Sequence, residues 1–193
     1  MENGNKTIAL LGQPNSGKSS LFNGLTGSHQ HVGNWPGKTV EHKAGSFTVN
    51  GTTYSIVDLP GSYSLSAGSQ EEVVTTGYIR SGQADLVAIL VDSSQLERSL
   101  YMLADFIGTR IPAVLILNLM DVAEQKGIKI DTAKLSAQLG IPVIGFVAAE
   151  RKRYPALKAQ LAQALQHPQT MNQDVLMQHY RADAALDFAA RSA

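Results

Sequence analysis

Residues 12–19, which read GQPNSGKS, constrain the fold of this chain more than any other segment. A lysine and a hydroxyl side chain follow the second of two glycines, an apolar run at residues 7–11 precedes the segment, and residues 18–25 have helical spacing. A glycine-rich loop between a strand and a helix presents backbone N–H groups and a helix N-terminus to anionic oxygens. The segment therefore predicts a phosphate-binding loop.

The pattern assigns separate tasks to the side chains of this loop. The Lys18 ammonium is expected to reach the β- and γ-phosphates of a nucleoside triphosphate, and the Ser19 hydroxyl is expected to ligate Mg²⁺. A chance glycine loop is disfavoured because position, spacing and flanking segments all agree. The other residues predicted to contact the nucleotide here are Gly12, Asn15, Ser16, Gly17 and Ser20.

Strand-length apolar runs alternate along the chain with longer segments of helical spacing. The six predicted strands are residues 7–11, 43–49, 53–57, 85–91, 113–117 and 142–146. After the helix at residues 18–25, further helices are predicted near residues 70–80, 95–109, 131–139 and 155–165. Such alternation predicts an α/β domain with helices on both faces of a mostly parallel sheet. The hairpin signal Asn50-Gly51 adds one antiparallel strand, so the expected six-stranded sheet is mixed.

Residues 58–61 read DLPG and follow the third predicted strand. An aspartate at the carboxyl end of that strand, beside the phosphate loop, can hold a Mg²⁺-bound water, and this is the role predicted for Asp58. Gly61 would let a backbone N–H approach the γ-phosphate. The pattern is common in ordinary turns, but its position directly after a strand and about 40 residues beyond Lys18 favours the nucleotide site.

Residues 118–121 read NLMD and match the base-reading pattern N-x-x-D, with Asn118 as its first member. The Asp121 carboxylate can accept hydrogen bonds from the N1–H and the N2 amine of guanine, which adenine does not offer. A helix cap by Asp121 is the alternative interpretation. Leu119 stands where a lysine usually flanks the base, so guanine selection is expected to survive with lower affinity.

The loop after the last predicted strand completes the expected base site. It contains Val147, Ala148 and Ala149. One backbone N–H of these residues is expected to meet guanine O6. The basic continuation at residues 150–153 is more typical of a solvated turn than of a phosphate clamp.

The composition excludes several classes of partner and site. Sixteen basic and sixteen acidic side chains give a formal net charge of zero, so binding to nucleic acid is not expected. The absence of cysteine excludes disulfides and thiolate metal sites. The longest apolar runs have strand length, whereas a membrane helix needs about 20 residues, so the chain as given is expected to be soluble.

Together these motifs resemble the Ras-like, translation-factor class of small P-loop GTPases, which hydrolyse GTP to GDP and phosphate. A finer resemblance rests on residues 33–41, GNWPGKTVE, and residues 58–65, DLPGSYSL. Both segments, and the NLMD form without lysine, resemble the cytosolic G domain of the bacterial ferrous iron transporter FeoB. The resemblance covers residues 5–166 and implies a regulatory domain whose state is set by GTP or GDP.

The same resemblance implies a domain order. A G domain would occupy residues 1–166, and residues 167–193 would be a linker and the truncated start of a helical domain, with a last helical segment at residues 172–191. In that family the helical domain leads to a membrane permease domain, and the G domain lies on the cytoplasmic side of the bacterial inner membrane. Those two domains, GTP and GDP are the implied partners, and self-association into a homo-oligomer is left open.

The resemblance also implies a catalytic set of Lys18, Thr39 and Gly61. The Thr39 hydroxyl would complete the Mg²⁺ coordination in the triphosphate state. Asn15 matches the asparagine of GTPases that use K⁺ beside the phosphates. Ser62 stands where Ras has the glutamine that orients the attacking water, and a serine is too short for that task. We therefore expect slow intrinsic hydrolysis that K⁺ stimulates.

Two rival functions remain open on sequence alone. A soluble K⁺-dependent GTPase of ribosome or tRNA maturation shares the Asn15 loop, but such a protein usually carries a basic RNA-binding surface. A P-loop kinase for a small metabolite would lack N-x-x-D and seldom carries DLPG after a threonine switch. The segment at residues 33–41 disfavours both.

Overall fold

The central strand of the fold is the apolar run that precedes the phosphate loop. The structure, a computed structural model, describes residues 5–65 and 68–174. Residues 8–11 have no solvent exposure, and their strand pairs in parallel with a neighbour on each side. Because a strand covered on both faces has no side chain in water, its sequence is continuously apolar.

The described residues form seven strands and six α-helices. In chain order the strands are β1 (Thr7–Gly12), β2 (Gln30–Asn34), β3 (Glu41–Val49), β4 (Thr52–Asp58), β5 (Leu86–Asp92), β6 (Ala113–Asn118) and β7 (Val143–Gly145). The helices are α1 (Lys18–Thr26), α2 (Gln70–Arg80), α3 (Leu96–Ile107), α4 (Met120–Gln125), α5 (Thr132–Leu139) and α6 (Tyr154–Gln166). Short 3₁₀ turns at Ser93–Gln95 and Arg151–Arg153 lead into α3 and α6.

All seven strands lie in one sheet, in the order β2-β3-β4-β1-β5-β6-β7. The strands from β4 to β7 in that order are parallel, whereas β2, β3 and β4 pair antiparallel. The predicted mixed, mostly parallel sheet is confirmed. Because β2 runs antiparallel to β3 and β3 antiparallel to β4, β3 alone among the described strands is reversed, as predicted, but the count of six strands is wrong. The missed strand β2 pairs with β3 through its backbone while most of its side chains are exposed, so no apolar alternation marks it.

Alternate side chains of the sheet build two apolar cores, one on each face. On one face Ile8 and Leu10 of β1 pack with apolar residues of α1 and α6. On the other face Ala9 and Leu11 pack with α2, α3 and Leu139 of α5. The prediction of helices on both faces is therefore confirmed, and the carboxyl end of β1 opens between the two layers.

The five helices predicted between residues 18 and 165 are present, and their bounds differ from expectation by a few residues at most. The one at residues 70–80 is α2, which begins with a capping box: Ser69 Oγ accepts from the Glu72 N–H at 3.2 Å, and Glu72 Oε2 accepts from the Ser69 N–H at 3.1 Å. The short helix α4 was not predicted. Its six residues follow Leu119, which has a left-handed backbone (φ 60°) and makes no side-chain cap bond. Leucine is not a typical N-cap residue, so the sequence does not indicate that a helix begins here.

Residues 167–174 continue from α6 along the far end of the sheet. The Gln169 carbonyl accepts from the Ala113 N–H at 2.9 Å, and the Asn172 N–H donates to the Leu139 carbonyl at 2.8 Å. Met171 is buried in the second core. The helical segment predicted at residues 172–191 lies outside the described residues from position 175 onward. In the part of the chain that is described, no helix combines the length and apolarity needed to cross a membrane.

Candidate nucleotide-binding site

The phosphate loop is the tight turn that joins β1 to α1. Asn15 (φ 66°) and Gly17 (φ 87°) both have left-handed backbone, which asparagine and glycine adopt at the lowest cost. The Ser16 hydroxyl closes the turn by donating to the Gln13 carbonyl at 2.7 Å. Left-handed residues in a turn direct successive N–H groups to one concave side, and such a nest of donors binds anions.

The loop borders an open cavity of about 350 Å³. Its lining residues are Gln13, Pro14, Asn15, Gly17, Lys18, Ser19, Ser20 and Gly61. Gly61 enters from the segment after β4, where a Cβ would lie 3.2 Å from Pro14 Cγ. The phosphate loop and the DLPG glycine therefore share one cavity at the N-terminus of α1, where the helix dipole favours negative charge.

Asn118 joins the phosphate loop to the loop after β7. Its Nδ2 donates to the Ser16 carbonyl at 2.9 Å, and its Oδ1 accepts from the Ala148 N–H at 2.9 Å. The residue is 1% exposed, so both bonds are shielded from water. A Cβ on Gly17 would lie 2.3 Å from this Nδ2, which explains the glycine. The sequence predicts a base contact for Asn118, whereas in the structure its amide holds two loops in place.

Asp121 has the opposite character. It lies exposed in the first turn of α4, and the N-cap of that helix is Leu119, which makes no side-chain cap bond. The helix-cap interpretation of Asp121 is therefore not what the structure adopts. Among the residues described, the Asp121 carboxylate has no hydrogen-bond or ion-pair partner. Its oxygens are available to an external donor.

Tyr154, at the start of α6, is a site residue that the sequence motifs do not reveal. Its hydroxyl lies 2.9 Å from the Ala148 carbonyl and 3.2 Å from the Ser20 carbonyl. Ala148 is thus held from both sides, by Asn118 and by Tyr154, which fixes the peptide that leads into Ala149. The trace of this tyrosine in the sequence is Gly24 of α1. A Cβ at that position would lie 2.1 Å from the Tyr154 ring, so the ring requires a glycine there.

Lys18 and Asp58 form an ion pair beside the cavity. The side chains are 12% and 6% exposed, respectively. Burial raises the pKa of the Asp58 carboxyl above its ordinary value of 3.8, and the positive charge of Lys18 opposes that rise only in part. The two side chains that the motifs assign to phosphate and to Mg²⁺ therefore hold each other.

The raised pKa of Asp58 predicts how stability depends on pH. The folded protein keeps the Asp58 proton at a pH at which the unfolded chain has lost it, so this group's contribution to the free energy of unfolding falls as pH rises between 3.8 and the raised pKa. Urea unfolding should be measured for nucleotide-free wild type and for Asp58→Asn. As pH rises across that range, the free energy of unfolding of the variant should increase relative to that of wild type. The attraction of the Lys18 charge is already included in the direction of the pKa shift, so its loss in the variant does not change this sign. A difference that stays flat, or shrinks with pH, would contradict this account.

The segment that contains Thr39 lies over α2 rather than in the cavity. Thr39 is exposed, and its hydroxyl donates to Gln70 Oε1 at 3.4 Å. The backbone N–H of Trp35 donates to the Val40 carbonyl at 2.9 Å and closes this loop. The Trp35 ring packs edge-on against Tyr78 of α2, with 5.3 Å between ring centroids. Thr39 is thus one of the predicted site residues that do not line the cavity. The others are Gly12, Ser16, Asp58, Asn118, Asp121, Val147, Ala148 and Ala149.

Comparison with known proteins places this site in a family. The sequence model of a family described as "Ferrous iron transport protein B" matches residues 6–161. The Fe(2+) transporter FeoB of Escherichia coli K12 is 48% identical over 156 residues, which cover 79% of this chain and 20% of the transporter. The chain thus spans about a fifth of the length of the curated relatives it matches.

Solved structures agree with this relationship. The cytosolic domain of the T. maritima FeoB iron transporter in its GMPPNP form is 42% identical, with a TM-score of 0.79, over 83% of this chain and 64% of that one. The G domain of the same transporter is 40% identical, with a TM-score of 0.77, over 83% of this chain and 98% of that one.

Proposed function

The chain belongs to the ferrous iron transport protein B family, and on that premise we propose that it is a G domain that binds GTP and GDP and hydrolyses GTP. The observation that carries the proposal is the cavity in which the phosphate loop meets Gly61, with Lys18 on its wall and Asp58 bonded to Lys18. Phosphoryl transfer needs a cation, fixed backbone donors and a carboxylate for a metal, and all three converge there.

The proposed nucleotide contacts use backbone N–H groups and one carboxylate of the site. The N–H groups of the phosphate loop and α1 would donate to the phosphates. Gly12 allows the loop to pack against β5, since a Cβ there would lie 3.0 Å from the Leu90 carbonyl oxygen and 3.1 Å from Ser16 Oγ. The Asp121 carboxylate, which has no partner among the described residues, would accept hydrogen bonds from guanine N1–H and the N2 amine. Because the Ala148 N–H is bonded to Asn118, the Ala149 N–H is the donor we assign to guanine O6.

The oxygen donors of the site fit Mg²⁺. Ser19 is exposed at the first turn of α1 and lines the cavity, and Asp58 is bonded to a lysine that also lines it. Hydroxyl and carboxylate oxygens are ligands that Mg²⁺ accepts alongside phosphate oxygens and water. Ser19 would bind the ion directly, Asp58 would act through a water, and Thr39 would complete the set after its loop moves. Bound there, the ion would neutralise phosphate charge.

Nucleotide binding would rearrange the ion pair. The Lys18 ammonium would exchange the Asp58 carboxylate for the β- and γ-phosphate oxygens and free that carboxylate for its role beside Ser19. In hydrolysis a water attacks the γ-phosphorus, and the bond to the β–γ bridging oxygen breaks, which leaves GDP and phosphate. Lys18 and the Gly61 N–H would stabilise the charge that develops on the transferred group and on the leaving oxygen.

Slow intrinsic hydrolysis is expected because Ser62, the residue directly after Gly61, is not placed to orient the water. Ser62 is 1% exposed, its N–H donates to the Gly12 carbonyl at 3.1 Å, and its hydroxyl bonds within the protein. It therefore faces away from the cavity. Backbone groups of the segments around Thr39 and Gly61 would orient the water instead.

The proposal also includes stimulation of GTP hydrolysis by K⁺. Asn15 projects an exposed carboxamide from the left-handed turn of the cavity wall. Its oxygen and the phosphate oxygens can share a monovalent cation, which would offset charge on the leaving group. We expect steady-state GTP hydrolysis to be faster in K⁺ than in Na⁺ or Cs⁺, and Asn15→Ala to remove that difference. Equal wild-type rates in all three salts would refute the K⁺ role.

Phosphate release tests the activity itself. Wild-type protein with Mg²⁺ should release phosphate slowly from GTP and not from ATP. A Thr48→Ala variant is the control and should release phosphate at the wild-type rate. Its exposed hydroxyl lies on β3 and, among the described residues, bonds across the hairpin to Thr53. Phosphate release from ATP at the rate seen with GTP, or transfer to a metabolite instead of water, would favour the kinase class and contradict the proposal.

The wider protein is proposed from the family alone. Residues 1–166 would be the G domain, and residues 167–193 a linker and the start of a helical domain. A membrane permease domain would follow in the same protein, on the inner membrane of a bacterium, with the G domain on the cytoplasmic side. There the nucleotide state would regulate ferrous iron transport. A homo-oligomer is compatible with this arrangement, and no nucleic-acid partner is proposed for a neutral chain.

A further inference from the structure

We propose that the buried hydroxyls of Ser62 and Thr75 fix the orientation of the Pro60–Gly61 peptide and so aim the Gly61 N–H at the γ-phosphate. Thr75 would then be a positioning residue through which the protein distinguishes GTP from GDP. This inference rests on the proposed function and deepens it. It assigns a task to a helix residue that lies outside every nucleotide-binding motif.

The contacts converge on one carbonyl oxygen. Thr75 Oγ1, on α2, donates to the Pro60 carbonyl at 3.1 Å. Ser62 Oγ lies 3.2 Å from the same oxygen and 3.2 Å from Thr75 Oγ1. Two hydroxyls and one carbonyl therefore form a closed triangle between the DLPG segment and α2.

Burial gives this triangle its strength. Thr75 is 0% exposed and Ser62 is 1% exposed, so neither hydroxyl has bulk water as an alternative partner. If the carbonyl rotated away, the Thr75 hydroxyl would lose its acceptor, although Ser62 Oγ could still donate to Thr75 Oγ1. A buried donor without an acceptor is unfavourable, so the observed orientation is preferred.

The Pro60 carbonyl and the Gly61 N–H belong to the same peptide unit. A trans peptide is planar, and its C=O and N–H point in opposite directions. Fixing the carbonyl toward α2 therefore fixes the N–H on the side away from α2. Gly61 lies against Pro14 and lines the phosphate cavity, so this is the side from which a γ-phosphate would approach.

A neighbouring anchor provides an internal comparison. Thr76, the next residue of α2, donates its hydroxyl to the Leu65 carbonyl at 2.9 Å, and the Leu65 N–H donates to Asp105 Oδ2 at 3.0 Å. These bonds tie the same segment to α2 and α3, but at a peptide beyond the cavity. Thr75 and Thr76 thus have similar bonds and different expected consequences.

The decisive variant is Thr75→Val, which keeps the shape of the side chain and removes the hydroxyl. GDP has no γ-phosphate, so the affinity for GDP should stay within about twofold of wild type. The affinity for a non-hydrolysable GTP analogue and the kcat for GTP should each fall about 10-fold, the effect of one hydrogen bond of roughly 1.4 kcal/mol. Thr75→Ser should restore both, and Thr76→Val should leave the ratio of the two affinities unchanged.

Each outcome decides the matter. An equal loss of affinity for GDP and for the GTP analogue, or no loss for either, would overturn the positioning role. If Thr75→Val does not fold, the two affinities are measured for Ser62→Ala instead. A loss of affinity for the GTP analogue alone is expected again, and an equal loss for GDP would contradict the proposal. Failure of the proposed function is a separate result, since wild-type protein would then bind neither guanine nucleotide.

Discussion

Replacing Asp121 by asparagine should lower the affinity for GDP by about 100- to 1000-fold, and should create affinity for xanthosine diphosphate. The exposed carboxylate is expected to accept two hydrogen bonds from guanine, and charged acceptors contribute about 1.5–3 kcal/mol per bond. An asparagine amide offers one acceptor oxygen and one NH₂ donor group. That NH₂ group would face the N2 amine of guanine, which is also a donor, whereas it can donate to the O2 of xanthine.

Displacement of a fluorescent GDP analogue by GDP and by xanthosine diphosphate measures both changes. Asp131→Asn is a matched control, because Asp131 caps α5 through a bond to the Lys134 N–H at 2.9 Å, and asparagine caps equally well. Base selection should be unaltered in that control. If Asp121→Asn kept wild-type affinity for GDP, or lost GDP without gaining xanthosine diphosphate, Asp121 would not be the base-reading residue.

Lys18→Met should damage both nucleotide binding and folding. The affinity for GDP and GTP should fall by about 100-fold or more, because a charge-assisted contact to phosphate disappears. The variant also leaves the Asp58 carboxylate, 6% exposed, without its partner. Removing one member of a buried ion pair costs about 3–5 kcal/mol. Urea unfolding of the nucleotide-free protein should therefore show a large loss of stability.

A second variant separates the two effects of Lys18. The double variant Lys18→Met with Asp58→Asn removes the unpaired charge, so it should recover most of the lost stability while nucleotide binding stays weak. The interaction free energy from the double-mutant cycle is the quantity to measure. Additive losses of stability would show that the ion pair does not hold the nucleotide-free site together.

The phosphate loop and the sheet core could be predicted because their signals are local. Glycine spacing fixes the turn at residues 12–19, and full burial forces β1, β5 and β6 to be continuously apolar. By contrast, β2 exists because β3 offers an open edge to its backbone. Backbone pairing leaves no side-chain pattern, which is why the sequence predicts six strands and the described residues form seven.

The parts of the site that sequence motifs do not reveal are held by contacts between distant segments. Asn118 bonds to Ser16 and Ala148, far from it in sequence. Thr75 reaches back to Pro60, and Tyr154 reaches Ser20. The NLMD motif names Asn118 but not its bonds to Ser16 and Ala148, and no motif names Thr75 or Tyr154. Only glycines that make room for them, such as Gly24, leave a trace in the sequence.

The central claim is that this cavity is a guanine-nucleotide site, and nucleotide competition tests it most directly. Wild-type protein with Mg²⁺ and K⁺ is loaded with a fluorescent GDP analogue and titrated with GDP, GTP, ADP and ATP. We predict that GDP and GTP displace the analogue at concentrations at least about 100-fold lower than ADP and ATP, as two guanine-specific hydrogen bonds require. Displacement by ATP at the same concentration as GTP would contradict the account.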